Sequence, residues 1–382
     1  MKHLKLYLPA FIKPFIRFIY YPQERRKFFR EIDIRKRQNE HIKKYDPSAN
    51  KIIIFLVPGA DYDSGRDNIS GGVISIVSLC EESDKLKNLH GAEVIMATFP
   101  NQHLLLKHTQ FNNHTNIFRF SQIQSYFKES EDILFHLPEY MSDYFIQKIK
   151  IKEEKWFRKI KEKNINILNQ NIRLMPPLKT IEFLKQKFNS VSISTAHEKY
   201  CNREFRDFYG VPLHKFSVWI SPEQYSFKKW DEKENIIVVS PDENTFRAEI
   251  INSLKDIKGL KVQVIQNLTH EDYKLLISKA KWSLTFGEGL DGYFIEPIFS
   301  GAISFAVYNE KFFTSDFSDL QTVYPDYDSL RQNITKDIER LNNADLYAAY
   351  QKVEYDLCAI YYNKKQYINN IASFYKKDYT YA

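Results

Sequence analysis

Residues 279–308 read KAKWSLTFGEGLDGYFIEPIFSGAISFAVY, in which two apolar runs flank a glycine-rich segment. Apolar side chains dominate residues 282–286, which predicts a buried strand that ends at a glycine. Residues 293–300 have the pattern of a short helix, and Gly301 ends it. A second apolar run predicts another buried strand over residues 302–308. The stretch is therefore a strand–helix–strand unit with a glycine-rich turn after its first strand.

Two carboxylates lie at the turn of this unit. Glu288 stands between Gly287 and Gly289 where the first strand ends, and Glu296 falls in the first turn of the helix. In an open α/β sheet, ligands bind in the crevice beyond the carboxyl ends of the strands. The pair therefore predicts a ligand site, and the alternative is that these residues belong to an ordinary strand–helix–strand core.

The order of these features resembles the donor site of nucleotide-sugar glycosyltransferases with the two-Rossmann (GT-B) fold. It looks most similar to the large retaining family, family 4-like, whose signature is two glutamates separated by seven residues. The spacing alone says little, since a chain this rich in Glu holds about one or two such pairs by chance. The resemblance rests on the order of helix, strand, Gly-Glu-Gly, helix, glycine and strand around Glu288 and Glu296.

The resemblance implies a role for each of these residues. Glu296 would accept hydrogen bonds from the two ribose hydroxyls of the donor. Glu288 would lie beside the donor sugar and stabilise positive charge that develops at the anomeric carbon. The backbone would let the sugar approach closely at three donor-binding glycines, Gly287, Gly289 and Gly292.

The diphosphate clamp of this family departs from its usual pattern in this chain. In the family, the first strand of the second domain leads to a basic residue, and a lysine follows a few positions later. Here residues 240–247 read SPDENTFR, so Arg247 is the basic residue of the loop, with Lys255 one to two turns further along the helix. A guanidinium suits bidentate phosphate binding, which makes Arg247 the candidate clamp and a solvent-facing helix charge the alternative. No metal or other cofactor is expected.

The first half of the chain predicts a doubly wound parallel sheet. Residues 52–57 form a continuous apolar run, and Gly71 and Gly72 open a helix over 73–82 after a polar loop. Such a turn presents backbone N–H groups to a phosphate or a hydroxyl, and it resembles the first-strand loop of GT-B enzymes. Further strands are expected over residues 93–98, 116–120, 132–137, 165–169, 190–195 and 216–220, with helices over 144–163 and 179–188 among those that separate them.

Two histidines follow or occupy these predicted strands. His136 echoes the strand histidine of the family's first domain, which makes it a candidate for hydrogen bonding a sugar or transferring a proton. The alternative for His136 is a structural hydrogen bond to a nearby group. For His197, which follows a Ser-Thr-Ala sequence, the structural role is favoured.

The charge of the chain is unevenly distributed. Residues 1–44 hold 13 Lys and Arg against 4 Asp and Glu, whereas the net charge of the whole chain is only +7. This basic arm has aromatic and aliphatic residues among its Lys and Arg, and two prolines, Pro9 and Pro14, interrupt its apolar part. The pattern is typical of a segment that lies on an anionic membrane surface, and the alternative is a basic helix packed on the protein body. The rest of the chain is close to neutral, and such a charge is not typical of a nucleic-acid-binding protein.

The sequence therefore predicts an α/β protein with two Rossmann-like domains facing a cleft, preceded by a basic arm. The expected divisions are the arm (1–45), an acceptor-side domain (46–225), a donor domain (226–333) and helices that cross back (334–382). Three separated cysteines suit a reducing compartment, so a cytoplasmic protein at the inner face of the membrane is expected.

The expected function is sugar transfer from a nucleotide-diphosphate sugar to a glycan or lipid-linked glycan in bacterial surface polysaccharide biosynthesis. The resemblance further implies retention of anomeric configuration. The alternative is a non-catalytic partner subunit that binds nucleotide or carbohydrate. Two Asp-Tyr-Asp triplets, at 61–63 and 326–328, match the metal motif of the other glycosyltransferase fold, but neither lies mid-domain, so both are discounted.

Overall fold

Two parallel β-sheets with helices on both faces form the body of the protein. The computed structural model describes residues 18–58, 71–99, 116–148 and 151–382. The first sheet contains β1 (Lys51–Val57), β2 (Glu93–Thr98), β3 (Ile117–Arg119), β4 (Asp132–Pro138), β5 (Glu162–Asn169), β6 (Ser190–Thr195) and β7 (Leu213–Lys215). The second contains β8 (Glu234–Val239), β9 (Lys261–Val264), β10 (Ala280–Leu284), β11 (Ile303–Val307) and β12 (Val323–Tyr324). The strand orders are β3-β2-β1-β4-β5-β6-β7 and β12-β11-β10-β8-β9.

Fourteen helices accompany these strands in the described part of the chain. Those that precede the second sheet are α1 (Pro22–His41), α2 (Gly71–Lys85), α3 (Lys87–His90), α4 (Phe120–Tyr126), α5 (Ser142–Lys148), α6 (Ile151–Lys159), α7 (Leu178–Lys187) and α8 (Arg203–Tyr209). The later ones are α9 (Arg247–Lys255), α10 (His270–Lys279), α11 (Gly292–Phe299), α12 (Tyr327–Leu341), α13 (Ala344–Tyr361) and α14 (Lys364–Tyr375).

The continuous apolar runs of the sequence form strands that are buried on both faces. In β1, Ile52 and Ile54 pack into one apolar cluster, whereas Ile53 and Phe55 pack into another on the opposite face. Successive side chains of a strand point to opposite faces, so only a sheet covered by helices on both sides accepts such a run. The alternation of strands and helices in the sequence therefore corresponds to a doubly wound arrangement.

Two sequence-based expectations about local structure were wrong. The helix expected over 144–163 ends too late, because α6 ends at Lys159 and β5 begins at Glu162, where it pairs with Asp132 of β4. The strand expected over 216–220 lies earlier, at β7, because Leu213 to Lys215 pair with β6. In the first case, the start of β5 is exposed and charged, so the sequence there has the character of a solvent-facing helix.

The last two helices contact different sheets. On α13, Glu354 accepts a hydrogen bond from the backbone N–H of Ser304 in β11, at 3.0 Å. On α14, the hydroxyl of Tyr375 donates to Ser83 of α2 at 2.7 Å, and Phe374 lies in an apolar cluster of the first sheet. The chain therefore returns to the first sheet between α13 and α14.

The described part of the basic arm, α1, packs against the body at its carboxyl half. At the carboxyl half of α1, Gln38 donates from Nε2 to the carbonyl of Ile117 at 2.7 Å, so this half packs against β3. At its amino half, Phe28 and Phe29 are 48% and 60% exposed. Residues 1–17 of the predicted arm lie outside the described residues. Among the helices that the structure describes, none is long and apolar enough to cross a membrane.

A buried carboxyl on α13 makes a pH-dependent contribution to folding. Burial raises the pKa of Glu354 from 4.5 to about 8, while hydrogen bonds from Thr322 and Ser304 oppose the shift. The folded state thus binds this proton more tightly than the unfolded chain, so stability is lost as the pH rises from about 5 to about 8.

Glu354→Gln mimics the protonated acid, and we expect it to remove on the order of 2–3 kcal/mol of this pH dependence. The check is the free energy of unfolding by denaturant at pH 5, 6.5 and 8 for both proteins. Parallel pH curves would contradict the assignment.

Candidate functional site

The turn after β10 lies at the carboxyl end of the middle strand of the second sheet. The backbone N–H of Phe286 donates to Ser240 at 3.0 Å, which joins this turn to the end of β8. Gly289 has a φ of 89°, and a Cβ there would run into the ring of Phe313. Only glycine adopts this conformation readily, so the Gly-Glu-Gly sequence sets the path of the chain and presents Glu288 beyond the sheet.

Glu288 is half-buried and bonded to the other sheet. The side-chain amide of Asn171, which follows β5, donates to Glu288 Oε1 at 2.5 Å. Burial raises the pKa of Glu288, and the charge of Asp242 raises it further. The charge of Arg173 and the hydrogen bond from Asn171 lower it. The two sheets therefore meet at this carboxylate.

A second carboxyl group lies behind this contact. Glu139 directly follows β4, is only 2% exposed, and accepts a hydrogen bond from the backbone N–H of Asn171 at 3.0 Å. Burial, together with the charge of Glu288, raises the pKa of Glu139 to about 7. Its other oxygen, Oε2, is buried without a hydrogen-bond partner among the described residues. The cleft therefore holds carboxyl groups from both sheets.

Two further acids flank Gly287. A Cβ on Gly287 would lie 2.9 Å from Oδ2 of both Asp242 and Asp291. Asp291 caps α11, because its Oδ1 accepts the backbone N–H of Phe294 at 3.1 Å. Burial, and then the charge of Asp242, raises the pKa of Asp291 to about 7. The absence of a side chain at Gly287 is what allows this packing.

Glu296 occupies an almost fully enclosed position on α11. It is 7% exposed, and its Oε2 lies 3.5 Å from Nε2 of His270. Its Oε1 lies against Gly292, where a Cβ would come within 2.7 Å. Tyr225 and Tyr273 border the carboxylate, and its charge adds to burial in raising the pKa of both phenols. The pocket thus combines an acid with aromatic and imidazole surfaces.

The predicted clamp is only partly assembled. Arg247 is the first residue of α9, and its Nη2 donates to the carbonyl of Ser240 at 3.4 Å. Its Nε is buried and has no hydrogen-bond partner within the described ranges. Lys255 ends the same helix, about 12 Å away along the axis. The structure therefore places Arg247 at the end of β8 and does not bring Lys255 there.

His136 lies away from Glu288, inside the first sheet. It is fully buried, its ring stacks on Phe55, and its two nitrogens contact Asn166 and the hydroxyl of Tyr375 at 3.1 and 3.3 Å. Burial lowers its pKa to about 3. The structure does not bring His136 to Glu288 or to the other acids of the site. Its contacts are those of a core side chain. His197 likewise bonds a backbone carbonyl, that of Gln170, at 2.7 Å.

Gly71 and Gly72 are the first two residues of α2. The side chain of Gln170 donates to the carbonyl of Gly72 at 3.0 Å, which places this helix end beside the residues after β5. A Cβ on Gly71 would meet nothing within 4 Å. The polar loop before them, including the triplet at 61–63, lies outside the described residues.

Several residues of the group were not predicted from the sequence. Asp242, Glu139 and Asn171 each lie one to three residues beyond the end of a parallel strand, and this position was a usable signal. Asp291 had a further signal, since Asp before an apolar helix is a common N-cap. Within the described ranges, no three or more His, Cys, Asp or Glu side chains are grouped so as to hold a metal ion.

Three solved glycosyltransferase structures resemble this chain in fold. An α-glucosyltransferase in complex with UDP-glucose and DNA containing an abasic site superposes with a TM-score of 0.54 and 12% identity, over 85% of this chain and 99% of that one. Sucrose-phosphate synthase from Thermosynechococcus elongatus superposes with a TM-score of 0.53 and 11% identity, over 86% of this chain and 98% of that one. Anabaena HepE in complex with UDP and glucose superposes with a TM-score of 0.52 and 9% identity, over 86% of this chain and 99% of that one.

No protein-family model and no curated protein sequence matches the chain. At these low identities, structural likeness establishes the fold and leaves the chemistry to the site. The predicted fold class is confirmed: the chain has the GT-B fold, with two Rossmann-like units facing a cleft.

Proposed function

We propose that this chain transfers a sugar from a nucleotide-diphosphate sugar to a hydroxyl acceptor, with retention and without a metal. One observation carries the proposal. The turn and helix after β10 place Glu288 and the enclosed Glu296 at the carboxyl edge of the second sheet, opposite Asn171 of the first. One structure of the same fold is named as an α-glucosyltransferase and contains UDP-glucose, and another contains UDP and glucose.

In this proposal, each residue of the site has a distinct task. Glu296 accepts the two ribose hydroxyls, since a carboxylate offers two acceptor oxygens. Glu288 lies beside the sugar and stabilises charge at the anomeric carbon as the diphosphate leaves. Arg247 pairs with that diphosphate, because its Nε has no protein partner within the described residues. His136 takes no part in binding or transfer.

A second candidate is a partner subunit that binds nucleotide without turnover. The observation that favours it is the excess of acidic groups at the end of β8. Asp242 and Asp291 flank Gly287 there, and Arg247 is the basic side chain that would face a diphosphate. The test is incubation of the purified protein with a panel of nucleotide sugars, followed by measurement of nucleotide release. Release would support the transferase, and nucleotide binding without release would support the partner subunit.

The biological setting is a further part of the proposal. The neighbours' names do not point to one acceptor. The acceptor is therefore proposed from the chain's own features, as a glycan or lipid-linked glycan in bacterial surface polysaccharide biosynthesis. We place the protein in the cytoplasm on the inner face of the membrane. Support comes from α1, whose amino half is basic and leaves Phe28 and Phe29 exposed. Aromatic side chains among basic ones favour an anionic lipid interface.

Membrane attachment gives a measurable prediction. Replacing Phe28 and Phe29 with serine should lower the affinity for vesicles that contain anionic lipid by about tenfold, since two exposed aromatic rings no longer enter the interface. Co-sedimentation with such vesicles, and with neutral ones, measures the effect. Phe208→Ser is a matched control, because Phe208 is 61% exposed on α8. Equal losses for the two variants would show that α1 is not the attachment surface.

A further inference from the structure

The contact between the two sheets at Glu288 is made by an asparagine whose amide has one fixed orientation. Asn171 Oδ1 accepts the backbone N–H of Arg173 at 3.0 Å, and a backbone N–H can only donate. The other end of the amide, Nδ2, must therefore be the group that faces Glu288 Oε1. A hydrogen bond donated by an amide is stronger when its acceptor is an ionised carboxylate than when it is a protonated carboxylic acid.

The backbone of Asn171 is held as well. Its N–H donates to Glu139 Oε1, and Glu139 is almost fully buried at the end of the neighbouring strand β4. Glu139 thus fixes the main chain of the residue whose side chain reaches across the cleft. Three groups on two sheets form one chain of hydrogen bonds, from Glu139 through Asn171 to Glu288.

We propose that Asn171 is a positioning residue for Glu288, holding its carboxylate in place and ionised across the cleft, and that Glu139 holds Asn171 in turn. The inference rests on the proposed function in one respect, that Glu288 acts as an anion beside the donor sugar. No step of bond making or breaking involves Asn171 or Glu139 themselves.

The burial of Glu288 explains why a hydrogen-bond donor is needed to keep it ionised. Arg173 and Glu139 face it from the first sheet, and Asp242 and Asp291 belong to the second. Burial and the charge of Asp242 favour the protonated form of Glu288, whereas the charge of Arg173 favours the ionised form. The Asn171 amide also favours the ionised form, from a fixed position, and it can do so only when the two sheets are as close as they are here.

The test uses two substitutions at Asn171. Asn171→Ala removes the donor. Asn171→Asp keeps an oxygen for the Arg173 N–H but turns an unprotonated oxygen toward Glu288. Asn189→Ala is the matched control, since Asn189 bonds the backbone N–H of Lys163 at the start of β5, at the opposite edge of the sheet.

The first measurement needs no turnover. In protein labelled with ¹³C at glutamate carboxyls, Glu288 is assigned by its disappearance in Glu288→Gln, and its titration is followed by NMR. We expect its pKa to rise by about one unit in Asn171→Ala and by more in Asn171→Asp. Asn189→Ala should leave it unchanged. An unchanged Glu288 pKa in both Asn171 variants overturns the proposal.

Activity supplies the second measurement. With the donor that the wild type uses, Asn171→Ala should lower kcat about tenfold with little change in donor KM, and shift the acid limb of the pH profile upward. Glu139→Ala should reproduce this loss, and Glu139→Gln, which retains an acceptor oxygen, should restore activity. Equal loss in the two Glu139 variants would contradict a positioning role. If the wild type turns over no donor, the proposed function fails while the NMR titration still decides the inference.

Discussion

Replacing Glu288 with glutamine should lower the rate of sugar transfer by about a hundredfold or more. The substitution keeps the size of the side chain but removes the negative charge that faces the anomeric carbon in the transition state. Because this charge matters most when positive charge develops, the loss should appear in kcat. Glu288 lies in the turn before α11 and Glu296 on the helix itself, so UDP affinity should remain within about twofold.

Two measurements check this result. The rate of nucleotide release in the presence of acceptor gives kcat, and calorimetric titration with UDP gives the affinity. Glu234→Gln is the matched control, since Glu234 is exposed at the amino end of β8 in the same sheet. A Glu288→Gln protein with wild-type kcat would exclude Glu288 from the reaction. A loss confined to UDP affinity would show that it binds the nucleotide.

The fold was predictable because its signals are local. The apolar runs that gave β1, β8 and β10 are buried on both faces, and the glycine at 301 ends α11 with a φ of 88°. A Cβ at Gly301 would overlap the carbonyl of Lys228, so a side chain is excluded there by packing as well as by backbone conformation. Such requirements leave a direct trace in the sequence.

The composition of the site was harder to predict because it depends on which strand ends meet. Asn171 and Glu288 are 117 residues apart, and their contact results from the approach of two separate sheets. No periodicity in the sequence records that approach. His136 shows the same limit: a histidine in a suggestive motif lies within β4, against Phe55 and Tyr375. Its neighbours in space, which the sequence does not show, determine its role.

The enclosed position of Glu296 leads to the second large expected effect. Glu296→Gln should weaken UDP binding by about tenfold to a hundredfold, because one of the two ribose hydroxyls loses a charged acceptor. The substitution also changes the contact with His270, whose Nε2 lies 3.5 Å from Oε2. Calorimetric titration with UDP measures the change, and Glu234→Gln again serves as the control. An unchanged affinity would remove Glu296 from the nucleotide site.

A second variant reaches the same carboxylate without altering it. Gly292→Ala places a methyl carbon 2.7 Å from the present position of Glu296 Oε1, which is too close, so the Glu296 side chain must move. Alanine is favourable at the first turn of α11, where the backbone of Gly292 is helical, so the fold should be retained. We therefore expect weaker UDP binding with unchanged thermal stability. Equal affinity in Gly292→Ala and wild type would mean that the observed orientation of Glu296 is not the one that binds nucleotide.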